Sequence, residues 1–267
     1  MDSNNISDNK STKPRSRWRL ARRLIGSFFL LFLFPLGFSV GGYMMGGAQA
    51  LNWWEARHDS TQQAPDPALT REAVVQVYAA RAFRWRGAFG VHTWIAAKPS
   101  GADHYTRFEV MGWSVRRGGE AVQIGNGIPD GLWFSNYPEI LIDLRGAGVD
   151  AIIDKIRAAA ERYPHNHEYR LWPGPNSNTF TAYIGREVPE LRLDLPPTAI
   201  GKDYIAGGGV AALSPSGTGA QLSLFGLAGL IVGWEEGVEV NLLGLTFGVD
   251  ITCPALKLPG VGRLGMC

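Results

Sequence analysis

Hydrophobic positions divide the chain into segments with different periods. An apolar stretch without any charged residue runs from Leu24 to Met45, and the next charged residue is Glu55. At about 1.5 Å per residue, its roughly 22 residues cover about 33 Å, enough for the hydrocarbon core of a bilayer. The pattern therefore predicts a transmembrane anchor at 24–45, with a basic cytoplasmic tail at 1–23 and a polar linker at 46–70.

The middle of the chain carries both helical and strand periods. Apolar residues from Val149 to Tyr163 recur at i, i+3, i+4 and i+7, which predicts an amphipathic helix that ends before Pro164. The alternation from Val74 to Tyr78 predicts a strand, and two β-prone runs at 89–97 and 104–111 flank a Pro/Gly turn, as in a β-hairpin. Residues 71–205 are therefore predicted to form an α+β core domain, with an antiparallel sheet and two main helices.

The tail at 206–267 is rich in glycine and apolar residues. Its two apolar runs, at 221–234 and 238–252, surround Glu235-Glu236-Gly237 and predict one long β-hairpin. Neither run is long and continuous enough to predict a second membrane span. Two placements remain open for this hairpin, either packed on the core domain or resting on the bilayer surface.

The distribution of charge changes this picture more than its total does. The 267 residues carry a net charge of +2, yet the first 23 residues hold seven basic side chains against two acidic ones, so the remainder is net acidic. A nucleic-acid partner is therefore not expected. Basic residues before the apolar stretch keep the N-terminus in the cytoplasm and place the globular domain outside the bacterial cytoplasmic (inner) membrane. The alternative is a signal peptide cleaved at Ala48-Gln49-Ala50.

Cysteine, histidine and glycine patterns argue against a bound metal or cofactor. Cys253 and Cys267 form no metal-binding motif, and the sequence does not decide whether they form a disulfide. His165 and His167 alternate as on one side of a strand, but no third ligand follows at a recognisable spacing. The glycine clusters match no nucleotide-binding pattern, so we expect neither a metal nor a cofactor.

A predicted helix start supplies the first candidate for chemistry. The turn Trp172-Pro-Gly-Pro leads into Asn176-Ser-Asn-Thr, all good N-cap residues, and then into an apolar stripe that begins with Phe180. Free backbone N–H groups at such a helix start favour an anionic nucleophile or an oxyanion. Two interpretations follow for Ser177. It either caps the helix or acts as a nucleophile.

His92 supplies the second candidate, from the first strand of the predicted hairpin. If the hairpin closes about Ser100 and Gly101, Phe108 or Glu109 lies opposite His92. Glu109 could then orient the imidazole, and His104 could do so if the strands are offset. A histidine with a purely structural role is the alternative interpretation.

Together, His92-Thr-Trp and Asn176-Ser177-Asn178-Thr179-Phe180 resemble the motifs of the circularly permuted papain-like hydrolases. That group includes NlpC/P60-like amidases, PPPDE peptidases and lecithin:retinol acyltransferase-like enzymes, in which a histidine strand precedes an Asn-Cys-x-x-Phe helix. The acyltransferases carry a second histidine about a dozen residues after the first, where His104 stands here. Serine replaces the usual cysteine, so activity would depend more strongly on a base.

A longer resemblance, from Trp85 to Tyr204, is to a family of bacterial membrane-anchored proteins known only as a domain of unknown function. The matching pieces are His92-Thr-Trp-Ile, Pro173-Gly-Pro-Asn-Ser-Asn-Thr-Phe180, Val188-Pro-Glu-Leu191 and Ala199-Ile-Gly-Lys-Asp-Tyr204. This resemblance implies a membrane protein and no established activity.

Three functional hypotheses follow from these residues. In the first, Ser177 attacks an acyl carbon, His92 is the base, Glu109 or His104 orients it, and Asn176, Asn178 and Trp94 bind substrate. The substrates would be peptidoglycan amides, peptides or lipid acyl groups of the cell envelope. In the second, the chain is an inactive relative that binds an envelope peptide, glycan or lipid. In the third, it is a structural envelope protein.

Overall fold

A long apolar helix precedes the globular part of the protein. The structure, a computed structural model, describes residues 15–45 and 52–265; the cleavage-site residues 48–50 and Cys267 lie outside these ranges. α1 (Arg15–Phe28), a π-helical turn (Phe29–Leu33) and α2 (Phe34–Met45) follow one another directly. Within the described ranges, Trp18–Met45 is long and apolar enough to cross a membrane, which confirms the predicted apolar helix.

The core domain is built on a five-stranded antiparallel sheet. Its strands are β1 (Val74–Arg81), β2 (Val91–Lys98), β3 (Thr106–Val110), β4 (Val122–Asn126) and β5 (Glu139–Arg145), in the spatial order β4-β3-β2-β1-β5. β2 and β3 form the predicted hairpin, with Ile95 opposite Phe108.

The main helices cover one face of this sheet. They are α4 (Val149–Glu161) and α5 (Ser177–Glu187), and α3 (Gly112–Arg116) is a short helix after β3. Two 3-10 helices, Arg84–Ala88 and Pro189–Leu191, complete the domain. Ile95 and Phe108 from the sheet pack with Ile156 and Phe180 from the helices in the larger core. The predicted amphipathic helix and the α+β class are confirmed.

The opposite face of the sheet carries a second, aromatic core. Tyr78 and Trp94 stack there with ring centroids 5.4 Å apart, and Trp133 joins them from the loop after β4. Because side chains alternate along a strand, Thr93 and Ile95 of β2 face the helices, whereas His92 and Trp94 face this aromatic layer. The alternation decides how the candidate site is built.

The tail forms a second sheet, here called the C-terminal sheet, in place of the single long hairpin predicted. Its seven antiparallel strands follow chain order: β6 (Ala211–Leu213), β7 (Gly219–Leu224), β8 (Ala228–Gly233), β9 (Gly237–Leu242), β10 (Leu245–Asp250), β11 (Ala255–Leu258) and β12 (Gly262–Gly265). The predicted runs are divided by tight turns at Phe225-Gly226 and Leu243-Gly244, where both residues have positive φ. Each apolar run therefore forms two strands joined by a turn, whereas the sequence predicts one strand for each run.

The linker is attached to the core domain through a buried carboxylate. Asp130 accepts hydrogen bonds from the Ser60 hydroxyl (2.7 Å) and from the backbone N–H of Gln63 (2.6 Å). The sequence predicts a polar linker with little to bury, but these bonds fix its second half. They also bring Trp53 and His58 to the wall of the cavity described below.

Candidate functional site

The start of α5 is capped by Asn176, and Ser177 is the first helical residue. The Asn176 side chain accepts from the backbone N–H groups of Asn178 and Thr179, and the Thr179 hydroxyl accepts from the N–H of Asn176. This reciprocal pair is a capping box, which satisfies donors that the helix leaves without partners. Ser177 therefore lies at the helix N-terminus, as predicted, but does not cap it.

Two asparagines around Ser177 use their side-chain amides to hold the fold. The Asn176 amide donates to the carbonyls of Leu171 and Ile200, both at 3.0 Å. Asn178 donates to the carbonyls of Val91 (3.0 Å) and Ile200 (2.8 Å), and its oxygen accepts from Thr93. Both side chains line the cavity, yet their hydrogen-bonding groups are engaged with the protein. These bonds give Asn176 and Asn178 a positioning role at the start of α5, and their predicted substrate-binding role stays a prediction.

His92 is held between an aromatic ring and a carboxylate. Its imidazole stacks on the Trp133 ring, with centroids 3.7 Å apart and planes 7° apart, and its Nε2 is 3.4 Å from Glu109 Oε2. An ionised carboxylate only accepts, so Nε2 carries the proton of this hydrogen bond. Burial lowers the pKa of His92 more than the neighbouring Glu109 raises it. The imidazole is therefore neutral at pH 7.

Glu109 joins His92 to an arginine. Its Oε2 also accepts from Arg107 at 2.8 Å, and the Arg107 guanidinium lies 4.6 Å from the centre of the Trp94 ring. Burial by itself would raise the pKa of Glu109, but the hydrogen bond from His92 and the charge of Arg107 outweigh it and lower that pKa. Glu109 is the predicted residue that reaches His92, although it lies one position beyond the last paired residue, Phe108, rather than directly opposite the histidine.

Two other predicted site residues do not reach the candidate site. His104 lies in the turn between β2 and β3, half exposed, and pairs with Asp103 at 2.6 Å. Because the turn is six residues from His92, about 20 Å along the strand, His104 does not orient the imidazole. Trp94 is fully buried, donates to the Pro129 carbonyl at 2.7 Å, and is not part of the cavity wall. It supports the ring layer under His92 instead of binding a substrate.

His92 and Ser177 share a cavity wall without a hydrogen bond between them. Thr93, the next residue on β2, points at α5 and donates to the Thr181 hydroxyl at 2.9 Å, so His92 points away from that helix. Within the described residues, neither the Ser177 hydroxyl nor the imidazole hydrogen-bonds to the other. The structure therefore shows no hydrogen-bonded nucleophile–base pair among these residues, and the predicted chemistry of Ser177 with His92 stays a prediction.

No metal-ligand set forms around the remaining histidines. His165 and His167 lie in a turn rather than on a strand, and His165 Nδ1 is 3.3 Å from Glu168. Across residues 15–45 and 52–265, the structure brings no three His, Cys, Asp or Glu side chains into an arrangement suited to a metal ion.

A large open cavity lies over the aromatic layer. Its volume is about 1400 Å³, and both His92 and Ser177 reach its wall. Much of the wall is aromatic: Trp53, Phe83, Trp85, Phe89, Trp113, Trp133, Phe134, Tyr169 and Trp172. Its charged side chains are Arg86, Arg107, Arg116, Arg117 and Glu109. The cavity is therefore apolar inside and mainly cationic among its charges.

The residues that build this cavity are mostly outside the predicted motifs. Trp133 lies in the Gly- and Trp-rich segment after β4, more than 40 positions from the histidine it stacks on. Arg116 and Arg117 end the short helix α3 and are both exposed. The available signal was the density of tryptophan, arginine and glycine between residues 111 and 136, a composition that does not specify contacts.

Comparisons with known proteins give a family and no activity. Residues 72–204 match the family model described as "Protein of unknown function (DUF3750)", so the core domain is a DUF3750 domain, as the longer resemblance predicts. No curated protein and no solved structure matches the chain, and the papain-like resemblance finds no support in these comparisons.

Proposed function

We propose that this chain, which carries a DUF3750 domain at residues 72–204, is a membrane-anchored protein of the bacterial cell envelope that binds an amphiphilic lipid with an anionic head group. The observation that carries the proposal is the cavity of about 1400 Å³ with an aromatic wall and four arginines. Pockets for drug-sized ligands usually hold about 300–1,000 Å³, so this one has room for a long-chain molecule.

The aromatic wall and the arginines suit the two ends of such a ligand. Trp113 and Trp133 face each other with centroids 6.1 Å apart, and Phe134 meets both rings edge-on. Acyl chains gain free energy when such rings shield them from water. Arg116 and Arg117 are exposed and would bind a phosphate or carboxylate, because guanidinium groups match the geometry of these anions.

The anchor supports a lipid as the ligand. Ser39 and Tyr43 of α2 hydrogen-bond to the carbonyls of Ala88 (2.8 Å) and Arg84 (2.7 Å), at the two ends of the 3-10 helix Arg84–Ala88. Trp85 and Arg86 of that 3-10 helix belong to the cavity wall. The end of the apolar helix thus contacts the cavity wall, so the cavity would lie next to the lipids of the membrane that the helix spans. By the charge of residues 1–23, the domain faces the outside of the inner membrane.

A binding function explains the arrangement of the candidate residues better than a hydrolase function does. General-base catalysis needs the base within hydrogen-bond reach of the nucleophile, and among the described residues the His92 imidazole bonds to Glu109 and not to Ser177. His92 instead forms part of the stacked ring floor, while Asn176 and Asn178 fix the first turn of α5.

The test uses the full chain in detergent micelles, titrated with a fluorescent phosphatidylglycerol and, separately, with the matching zwitterionic phosphatidylethanolamine. We expect saturable binding with preference for the anionic lipid. Replacing both rim arginines (Arg116→Gln with Arg117→Gln) should weaken phosphatidylglycerol binding about tenfold, since two charge-assisted contacts are lost. Trp113→Ala should weaken the binding of both lipids, because it removes an aromatic ring from the cavity wall.

The matched control is Arg71→Gln, which removes an exposed arginine outside the cavity and should leave binding unchanged. Equal loss in the control and the rim variant, or no saturable binding, would overturn the lipid site. Fluorophosphonate labelling that disappears in both Ser177→Ala and His92→Ala, with each variant folded, would replace binding by hydrolysis as the function.

A further inference from the structure

One face of the C-terminal sheet is apolar across all seven strands. The register aligns Leu222, Leu230, Val240 and Phe247 in one row, and Val232, Val238 and Val249 in the next. Most of these side chains are exposed. The whole apolar face consists of Ala211, Leu213, Ala220, Leu222, Leu224, Ala228, Leu230, Val232, Val238, Val240, Leu242, Leu245, Phe247, Val249, Leu256, Leu258 and Leu264.

The other face of the same sheet is polar and buried. Gln221, Glu239, Asn241, Asp250 and Lys257 alternate with the apolar residues, and each is at most 2% exposed. In a water-soluble antiparallel sheet, the apolar side chains face the core and the polar ones face solvent. The C-terminal sheet is inverted with respect to that rule, so its apolar face needs an apolar surrounding.

The apolar helix touches this face. The Phe32 ring is buried, with its centroid 6.2 Å from that of Phe247, and the Ser39 hydroxyl donates to the Gly260 carbonyl in the turn before β12 at 2.7 Å. Phe32 precedes Met45 by 13 residues, about 20 Å along the helix axis. In a hydrocarbon core about 30 Å thick, a contact at Phe32 lies well below the membrane surface.

We infer that the apolar face is a membrane-docking surface, inserted beside the anchor into the hydrocarbon core of the same bilayer, with acyl chains as its occupant. The inference rests on the proposed anchor and is independent of the cavity's ligand. The sheet's edge strands are short, three residues in β6 and four in β12, so few unpaired backbone groups come near the lipid.

Photo-crosslinking in native membranes tests which surrounding covers the face. p-Benzoylphenylalanine is placed in the full chain at Leu222 or Val232, on β7 and β8. Leu222 lies three strands from Phe247, about 14 Å, and so away from the helix contact. The matched control carries the same photo-crosslinker in place of Glu120, which is exposed on the core domain. Both sheet positions should yield lipid adducts by mass spectrometry, and the control should yield none.

Each other outcome overturns the inference. Adducts between two copies of the chain from Leu222 would assign the face to an oligomer interface, and the lack of any lipid adduct would leave it in water. Alkaline carbonate extraction of the same membranes tests the anchor separately from the docking surface. Release of the full chain by carbonate would mean that the proposed anchor is wrong. Retention without lipid adducts means that only the docking surface fails.

Discussion

At the scale of single residues, burial sets the protonation state of His92. Its pKa is lowered in the folded protein, whereas the unfolded chain titrates near 6.5. Below about pH 6.5 the unfolded state binds a proton that the folded state excludes, so stability falls as the pH falls. The slope from this one group reaches at most about 1.4 kcal/mol per pH unit.

Urea unfolding of the detergent-solubilised chain between pH 7.5 and 5.5 measures this dependence. We expect His92→Gln to lose part of the acid-side decline in the free energy of unfolding. The exposed His104→Gln is the control and should keep the wild-type slope. Identical pH profiles for the wild type and His92→Gln would contradict a neutral, buried imidazole.

The partners of His92 show what residue patterns can predict. Glu109 was within reach of sequence reasoning because it lies on the paired strand of the same hairpin, where local register narrows the choices to a few residues. Trp133 could not be predicted as a partner of His92, because a loop brings it there and no helical or strand periodicity relates the two positions. The Ser177–His92 pairing remains a prediction about chemistry that the alternation along β2 does not favour.

At the scale of elements, Asn176 and its neighbour Ser177 should contribute differently to the stability of the first turn of α5. Asn176→Ala removes the capping box and leaves the carbonyls of Leu171 and Ile200 without its amide, so we expect a loss of about 2 kcal/mol or more. Ser177→Ala removes a hydroxyl without a hydrogen bond among the described residues and should cost less than about 1 kcal/mol. Chemical unfolding of both variants gives the comparison, and equal losses would contradict the assigned cap.

Local patterns predicted the elements whose period and end signals agree. α4 shows this, with its apolar stripe and the proline beyond it, and so does α5, with its run of capping residues. The C-terminal sheet shows the opposite case. Its strands have a clear period of two, but a period does not say which face is inside. The face with Glu239 and Lys257 is buried because the core domain supplies partners for their charges.

At the scale of the whole molecule, buried charges join the C-terminal sheet to the core domain. Glu239 on β9 pairs with Lys202 of the core domain and, at 2.8 Å, with Lys257 on β11. Lys257 also contacts Asp194 at 2.7 Å. Burial would raise the pKa of Glu239, but the charges of Lys202 and Lys257 outweigh it and lower that pKa. The inverted sheet is thus held by ion pairs on its inner side, which leaves its apolar side free for the bilayer.

Removing the shared carboxylate should weaken this junction strongly. Glu239→Gln leaves two buried ammonium groups short of their counter-charge, and breaking a buried pair in this way typically costs about 3–5 kcal/mol. Glu190→Gln is the matched control, because Glu190 pairs with Lys155 at the surface, and such pairs contribute less than about 1 kcal/mol. Urea unfolding followed by tryptophan fluorescence measures both losses, and limited proteolysis shows whether the C-terminal sheet detaches first. A Glu239→Gln variant as stable as the control would mean that the sheet is held mainly by other contacts.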